Sequence, residues 1–171
     1  MRIVNYFEHD GKDGILSQLK NGADYWRAIP FLLSLLEDGT FHEHLGNGGL
    51  YLLLEESNGN GAEKTGSKEE LAAFLSFCDK DEIDAPELKP WIGFVFTFPK
   101  WRGRHLAGKL IDYCCSTLAP KLYPEEQSVF VSTDETGLYE KYGFTYIGQM
   151  QNVWGDKSQI YSRQVSLFSE N

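Results

Sequence analysis

The sequence lacks any apolar run near the roughly 20 residues that span a bilayer. Its amino terminus, MRIVNYFEHDGKDG, has neither the basic start nor the apolar stretch of a secretory signal. We therefore expect a cytoplasmic protein with no membrane partner. Cysteine is scarce, and Cys78 is distant from the neighbours Cys114 and Cys115, so neither a disulfide framework nor a C-x-x-C spacing is present. His42 and His44 are two residues apart, which does not place them on one helix face, so no metal site is predicted.

Basic residues are also scarce, with 16 Lys and Arg against 25 Asp and Glu, for a net charge of −9. This balance argues against general nucleic-acid binding, which requires a basic surface. The acidity belongs to the first half, because residues 1–90 hold 8 basic and 17 acidic side chains and residues 91–171 hold 8 of each. Within the second half, four basic residues fall between positions 100 and 109 without one acid. That stretch is a candidate anion site.

The length of 171 residues and the apolar content of 42% predict one domain over 1–171 with a substantial core. LAAFLSFC at 71–78 and WIGFVFTF at 91–98 are apolar on both strand faces, which predicts central strands covered by helices on each side. Further strands are predicted at 2–7, 48–56, 128–132 and in two closing segments, and helices at 24–38, 106–118 and 136–142. A turn is predicted at 11–14 and an exposed glycine-rich loop at 56–70. This order indicates a mixed sheet in an α/β or α+β domain.

The segment F-V-F-T-F-P-K-W-R-G-R-H-L-A-G-K-L-I at 94–111 joins a predicted strand to a predicted helix through a basic loop. Such a loop directs several unpaired backbone N–H groups to one point, and the helix dipole adds partial positive charge there. Glycines at 103 and 108 allow close approach of a ligand. The unit predicts a phosphate site, although its spacing fits neither a Walker A loop nor the G-x-G-x-x-G fingerprint. From these residues alone, a solvated turn before a capped helix is the alternative.

Two motifs in this order resemble the GNAT superfamily of acyl-CoA-dependent N-acyltransferases. The first is an apolar strand, a proline and then R/Q-x-x-G-x-G/A opening a helix. V-F-T-F-P-K-W-R-G-R-H-L-A-G matches it, with Arg102 first and Ala107 last. The second is the L-Y-E-K-x-G-F helix, which T-D-E-T-G-L-Y-E-K-Y-G-F at 133–144 matches. His105 departs from the pattern, because it stands at the first glycine of the motif, where a positive φ would strain a histidine.

The resemblance, which covers residues 71–150, implies an α/β (α+β) fold with a mostly antiparallel central sheet, a parallel splayed strand pair and flanking helices. It implies that acetyl-CoA is the cosubstrate and lies between strands 91–98 and 128–132, with its pantetheine bonded to the backbone near Phe96 and Thr97. The pyrophosphate is expected on the loop and the first helical turn. The residues expected to bind it are Arg102, Gly103, Arg104, His105, Leu106, Ala107 and Gly108.

The resemblance also implies direct attack of an amine on the thioester, with Tyr139 at the position of the general acid that protonates the leaving thiolate. The residues alone leave open that Tyr139 only packs beneath the sheet, and Tyr142 is predicted to be a packing residue. The general base is not identified, because strand 91–98 contains no carboxylate. Asp134 and Glu135 are the nearest acids by sequence, and an acceptor that arrives deprotonated would need no strong base.

These inferences predict an acetyl-CoA-dependent N-acetyltransferase that acts on an amine of a small molecule or peptide. Two alternatives stay open: a GNAT-fold module that binds an acyl-CoA without turnover, and a phosphate-binding domain unrelated to coenzyme A. The acidic first half predicts a cationic acceptor, although the acids could equally be a solvated surface. No nucleic-acid partner is expected, and a homodimer is left open.

Overall fold

The computed structural model describes residues 1–57 and 68–165. Within these residues seven strands form one sheet in the order β1-β2-β3-β4-β5-β7-β6. The strands are β1 (Arg2–Asn5), β2 (Gly48–Ser57), β3 (Lys68–Cys78), β4 (Trp91–Thr97), β5 (Ser128–Thr133), β6 (Thr145–Gln151) and β7 (Lys157–Gln164). β4 and β5 are parallel, whereas the other neighbouring pairs are antiparallel. The predicted fold class, a mostly antiparallel mixed sheet with one parallel pair, is confirmed.

Helices lie on both sides of the sheet. Their bounds are α1 (Lys12–Asn21), α2 (Ala28–Glu37), α3 (Phe41–Leu45), α4 (Leu106–Tyr113) and α5 (Ala119–Leu122). A π-helical turn at Cys114–Leu118 joins α4 to α5. Short 3-10 helices lie at Tyr6–Glu8, Ala23–Tyr25, Pro99–Trp101 and Tyr139–Tyr142. No helix in the described part of the chain is long and apolar enough to cross a membrane.

The two faces of the sheet carry separate apolar cores. Phe74 and Phe96 belong to the core that α1, α2 and α3 cover, whereas Leu75 and Ile92 belong to the core that α4 covers. Because successive side chains of a strand point to opposite faces, a strand buried on both faces is apolar at every position. The continuous apolar runs at 71–78 and 91–98 have this origin.

Some boundaries differ from the sequence-based prediction. The turn predicted at 11–14 is wrong, since α1 begins at Lys12 and includes Gly14, whose α-carbon faces open space. The strand predicted at 2–7 ends at Asn5, where that side chain accepts the Phe7 N–H and starts a 3-10 helix. The helix predicted at 24–38 is confirmed only from Ala28, and its proline lies in the first turn, where a missing N–H is tolerated. The part of the predicted 56–70 loop at 58–67 lies outside the described residues.

The loop between β3 and β4, residues 79–90, lies against the sheet rather than in solvent. Ile83 and Ala85 pack with Trp91 and with Ile160 of β7 in a small third core. Ile83 also forms an isolated bridge with Asn152, in the turn between β6 and β7. These contacts hold the acidic loop over β4, β5 and β7.

Candidate active site

β4 and β5 are paired over a short distance. The register joins only Trp91 and Ile92 of β4 to β5. Immediately beyond, the β3–β4 register shifts, and Phe94 in this bulge has a φ of 48°. Bulges bend a strand, and a bulky residue in the left-handed region is strained, a condition that clusters at functional sites. The β5-facing edge of β4 is therefore unpaired with β5 after Ile92.

Thr97 presents its backbone to this open edge. The N–H of Phe98 donates to Ala72 of β3 at 3.0 Å. Since backbone groups alternate in direction along an antiparallel strand, those of Thr97 point away from β3, and those of Phe96 point toward it. The Thr97 carbonyl accepts a hydrogen bond from Arg102 Nε at 3.2 Å. Its N–H is the group of this pair that is available to a ligand, while the Phe96 side chain is buried in the core.

The basic loop connects this edge to α4 through two left-handed residues. Gly103 has a φ of 78° and His105, directly before α4, has a φ of 55°. The departure noted in the motif is therefore a conformational one, because histidine occupies a backbone region that glycine enters without strain. Among non-glycine residues, histidine is one of those enriched there, which explains how the loop keeps its turn.

Unpaired donors collect where the loop enters α4. Lys109 N–H donates to the carbonyl of His105 at 3.1 Å. The N–H groups of the preceding residues, Leu106, Ala107 and Gly108, belong to the first turn and have no partner within the helix. The dipole of α4 adds partial positive charge at this end. The arrangement fits a phosphate group.

Arg102 and Arg104 add positive charge to this loop. The guanidinium of Arg104 lies 4.8 Å from the centroid of the Trp101 ring. Lys100 lies 5.0 Å from the same ring, but its ammonium is paired with Glu70 at 2.7 Å. The indole N–H of Trp101 is buried without a hydrogen-bond partner among the described residues. Arg102 and Arg104 are both exposed, so their charge is available to an anion.

Gly108 joins the loop region to the second motif. A Cβ on Gly108 would lie 3.1 Å from Tyr142 Cε1, so a larger residue here would require the Tyr142 ring to shift by a few tenths of an ångström. Arg163 of β7 donates to the carbonyl of Tyr142 at 3.0 Å and pairs with Asp112 of α4 at 2.7 Å. The 3-10 helix that carries Tyr139 is thereby fixed against α4.

Tyr139 lies on the α4 face of the sheet. Its ring is buried and contacts Phe144 and Tyr161 at centroid distances of 5.7 and 6.3 Å. Burial raises the pKa of its phenol above the ordinary value, and the charge of Asp81 raises it further. The phenol therefore stays protonated near neutral pH and can act only as a proton donor there.

Two acids that the sequence did not single out lie at the point where β4 and β5 part. Ser132 Oγ of β5 lies 3.0 Å from Asp81 Oδ2 and 2.8 Å from Glu82 Oε1. Ser158 Oγ of β7 donates to the same Glu82 oxygen at 3.1 Å. Asp81 Oδ1 lies 2.6 Å from the position that a Cβ on Gly93 would take. Asp134 and Glu135, the nearest acids by sequence, are both exposed.

One sequence signal could have located Asp81. Gly93 is the single glycine in β4, whose other residues are bulky or β-branched. An isolated glycine in a strand marks a bulge or a close approach of another group. Both occur here, and the approaching group is the carboxylate of Asp81.

Aromatic rings line the same side of the opening. Phe31 of α2 lies 6.2 Å from Phe94 and 6.0 Å from Trp154, between ring centroids. Phe31 is 40% exposed and Trp154 is 67% exposed. The turn that carries Trp154 is tied to the acidic loop, because Val153 N–H donates to the Glu82 carbonyl at 2.8 Å. Acidic and aromatic groups thus lie next to each other on the α2 face.

The acidic clusters of the first half differ in their surroundings. Most lie in ion pairs: Glu37 with Lys20, Glu55 with the amino terminus, Glu56 and Glu69 with Arg2, and Glu70 with Lys100. Asp81 and Glu82 instead lie beside the opening between β4 and β5, whereas Asp79 accepts hydrogen bonds from Tyr123 Oη and Asn47 N–H away from it. The charge that faces this opening is therefore local to the β3–β4 loop.

The three cysteines are free and buried. Burial raises the pKa of Cys115 to about 11 and that of Cys78 to about 12, and it raises the pKa of Cys114 as well. Such thiols carry almost no thiolate near neutral pH, and the thiolate is the nucleophilic form. They are core residues rather than nucleophiles.

A cavity of about 640 Å³ lies elsewhere, at the β1 edge of the sheet. It is lined by polar residues such as Arg2, His9, Glu69 and Lys121. It contains no residue of either motif and does not reach the opening between β4 and β5. The cavity is therefore not part of the candidate active site.

No protein-family model and no curated protein matches the chain. Solved structures match its fold. An acyl-CoA N-acyltransferase from Pseudomonas aeruginosa is 16% identical with a TM-score of 0.58, covering 95% of this chain and 97% of that one. ElaA from Escherichia coli is 15% identical with a TM-score of 0.56 and the same coverage. YncA from Salmonella typhimurium, assigned as an acetyltransferase and solved with its cofactor acetyl-CoA, is 18% identical with a TM-score of 0.54, covering 100% and 97%. The chain shares the fold of these three proteins.

Proposed function

We propose that this protein is an N-acetyltransferase that moves the acetyl group of acetyl-CoA to a primary amine by direct attack. One observation carries the proposal: β4 loses its β5 partner after Ile92, and its open edge leads into the amide-rich loop at 102–108. Unpaired strand backbone recognises amides, and a helix amino terminus recognises phosphate. A long ligand with amides at one end and a pyrophosphate at the other fits both. A neighbour of the same fold solved with acetyl-CoA supports this choice of ligand.

Different residues of the opening would bind different parts of acetyl-CoA. Acetyl-CoA would supply an activated thioester carbonyl. The Thr97 N–H is available to an amide oxygen, and the first-turn amides of α4, at 106–108, are available to the pyrophosphate. Arg104 adds long-range attraction for the phosphates.

Tyr139 is the proposed proton donor. Its phenol is protonated near neutral pH and lies on the α4 face, where it would give its proton to the leaving thiolate. A general acid of this kind accelerates its step by about 10²-fold or more. Fixation of the 3-10 helix by Arg163 keeps the phenol in place.

The acceptor is proposed to be a cationic amine that enters on the α2 face. Asp81 and Glu82 supply negative charge there, and Phe31 and Trp154 supply exposed ring faces. Ammonium groups bind to carboxylates and to aromatic faces, and these attractions strengthen each other when water is excluded. A small-molecule or peptide amine with a positive charge fits this surface better than an anionic amino acid.

A second candidate function is binding of an acyl-CoA without turnover. One observation favours it: His105, a residue with a side chain, holds a left-handed conformation at the entry to α4, where glycine would be unstrained. A side chain there restricts how closely a phosphate can approach the backbone.

Two assays separate the candidates. Thermal unfolding with coenzyme A measures binding, because a ligand that binds only the folded state raises the midpoint. Release of free thiol from acetyl-CoA, with a panel of cationic amines and an acidic amino acid, measures turnover. Binding with turnover supports the transferase, and binding without turnover on the whole panel supports the module. No binding contradicts both.

Replacing Gly103 tests the loop assignment. Gly103→Pro should weaken coenzyme A binding strongly, because the φ of 78° lies outside the proline range and the N–H is lost. Gly103→Ala, which keeps the N–H, is the matched control and should bind better than Gly103→Pro. Equal affinity of Gly103→Pro and the parent would show that the loop is not the site.

A further inference from the structure

Asp81 lies on the acceptor face of the opening. Ser76 and Asp81 both lie beside Gly93, since a Cβ there would be 2.9 Å from Ser76 Oγ and 2.6 Å from Asp81 Oδ1. Ser76 alternates with Phe74 along β3, so it points to the face that α2 covers. Phe94, next to Gly93, packs on this same core. The carboxylate therefore faces the route of an acceptor and not the core beneath α4.

Tyr139 lies on the opposite face, in the core that α4 covers. The two groups are nevertheless close enough that the charge of Asp81 raises the pKa of Tyr139. An acid and a carboxylate thus flank the gap between β4 and β5 from its two sides. This is the arrangement that a transfer needs when the nucleophile arrives on one face and the leaving group departs on the other.

The hydrogen bonds around Asp81 leave room for one proton. The hydroxyl of Ser132 has a single hydrogen, yet oxygens of Asp81 and Glu82 both lie within hydrogen-bond distance of it. It can donate to one carboxylate only. If Asp81 is protonated, it donates to Ser132 Oγ, Ser132 donates to Glu82, and Ser158 also donates to Glu82. The network is complete when Asp81 carries a proton and one bond short when it does not.

We propose that Asp81 is the proton acceptor for the amine, an inference that rests on the proposed acetyltransfer. Asp81 takes a proton from the incoming ammonium group: an N–H bond breaks, its electron pair stays on nitrogen, and an O–H bond forms on the carboxylate. The free electron pair of the amine then attacks the thioester carbonyl. As the C–S bond breaks, Tyr139 gives its proton to the sulfur, and the surplus N–H proton of the attacking nitrogen passes through water to the Tyr139 phenolate, which restores the phenol. The proton held by Asp81 is returned to solvent at the end of the cycle, so the acid is regenerated as a carboxylate.

The electrostatic surroundings support this role. Burial first, and the negative charge of Glu82 second, raise the pKa of Asp81 to about 7, while the hydrogen bond from Ser132 opposes the shift. The other titratable groups that sense its charge are Tyr139 on the far face and Cys78 at the end of β3, both neutral near pH 7. A base whose pKa is near the working pH is deprotonated in a large fraction of the molecules and still binds a proton well.

The test compares Asp81→Asn with the parent in kcat/KM against pH, from about pH 5.5 to about pH 9, using the most active amine of the thiol-release panel. The parent should show a rise near pH 7 and a loss of activity below it. Asp81→Asn should lose this rise and at least about 10²-fold in kcat/KM at pH 7.5, while coenzyme A affinity stays unchanged. Asp84→Asn, which removes an exposed acid of the same loop, is the matched control and should behave like the parent.

A second arm does not depend on the Asp81 variant folding. Glu82→Gln removes the like charge beside Asp81, so the rise in kcat/KM should move to lower pH. Infrared titration of the carboxyl groups, without any substrate, should show one group near pH 7 in the parent, and that group should titrate at a lower pH in Glu82→Gln.

The outcomes are separable. A parent that releases no thiol with any amine overturns the proposed function, and the inference with it. An active parent whose pH profile survives Asp81→Asn, does not move in Glu82→Gln, or shows no carboxyl near pH 7, overturns the role of Asp81 alone.

Discussion

The carboxylate of Asp81 fills the space that a side chain at position 93 would need: its Oδ1 lies 2.6 Å from the point where a Cβ on Gly93 would stand. Ser132 fixes the other oxygen of that carboxylate at 3.0 Å. The loop and the strand are therefore fitted to each other at the opening between β4 and β5. A substitution at either residue should therefore alter the position of the other.

Gly93→Ala should push Asp81 from its place. We expect a loss of about 1–3 kcal/mol in the free energy of unfolding, because a methyl group is forced into a filled site. Turnover near neutral pH should fall while coenzyme A affinity is kept. Urea unfolding and thiol-release kinetics measure both. Gly14→Ala, in α1 with open space around it, is the control and should be neutral or stabilising by up to about 1 kcal/mol. Unchanged stability and turnover in Gly93→Ala would show that the Asp81 carboxylate can move away from the added methyl group without cost.

Tyr139→Phe should keep the fold and the affinity for coenzyme A while slowing the chemical step by about 10²-fold. The hydroxyl is removed but the packed ring stays, so the core is preserved. Single-turnover rates are the suitable measurement, since a slow release step would hide the effect. Tyr142→Phe, on the same 3-10 helix, is the matched control. Equal rates for both variants and the parent between about pH 6 and pH 9 would make Tyr139 a packing residue only.

Asp81→Asn should stabilise the protein at high pH. The pKa of Asp81 is raised to about 7 from an ordinary 3.8, so the folded state binds the proton more tightly than the unfolded state does. The parent therefore loses stability as pH rises between these two values and keeps the loss above pH 7. Asparagine cannot ionise, so the variant should gain on the parent over this window, by on the order of 4 kcal/mol at most.

Urea unfolding at about pH 4 and about pH 8 measures this difference. Asp84→Asn provides the baseline for loss of an exposed acid. A stability difference between Asp81→Asn and the parent that does not change with pH would contradict the raised pKa.

His105→Gly should stabilise the loop. Histidine is held at a φ of 55°, and the left-handed region costs a non-glycine residue about 1–2 kcal/mol, which glycine avoids. Part of this gain is lost to the greater freedom of glycine in the unfolded chain, so a net gain below about 1 kcal/mol is expected. Gly143→Ala, at a φ of 81° within the second motif, is the reverse control and should destabilise. Lower stability in His105→Gly would mean that the imidazole makes a contact worth more than the strain.

Activity toward a cationic acceptor should depend on the acids at the opening and not on the ion-paired acids elsewhere. Glu82→Gln should lower kcat/KM for a dicationic amine at low salt, and the difference should shrink at high salt, where screening shortens to about 3 Å at 1 M. Glu56→Gln is the matched control, because Glu56 is paired with Arg2 at the distant β1 edge. The measurement is kcat/KM for the diamine and for an acidic amino acid at both ionic strengths. A preference for the acidic acceptor, or a cationic preference indifferent to salt, would refute steering.

The sequence was sufficient for what short segments encode. The apolar runs at 71–78 and 91–98 predicted the central strands because burial on both faces leaves no polar position. The motif from Arg102 to Ala107 predicted the loop before α4, and its missing glycine predicted the strained φ found at His105. Anion binding by this loop stays a prediction. Each of these features depends on residues that are neighbours in the chain.

The features that were missed depend on residues far apart in the chain. Asp81 looked like one member of a solvated acidic turn, since nothing local shows that Ile83 and Ala85 would dock on Trp91 and Ile160. The acidic clusters looked alike in sequence, and only the fold shows that Glu56 and Glu69 both pair with Arg2. The start of α1 was missed because Gly11 and Gly14 are more common in turns than in helices.

The bridge between Ile83 and Asn152, with the bond from Val153 N–H to Glu82, links the loop of the carboxylates to the turn of Trp154. Selection for a new acceptor would act first on that exposed turn, where substitutions cost the fold little. A substitution that shifts the backbone of this turn would, through these bonds, also move Glu82 and change the pKa of Asp81. Changes in acceptor specificity and changes in the pH dependence of activity would then occur together during divergence.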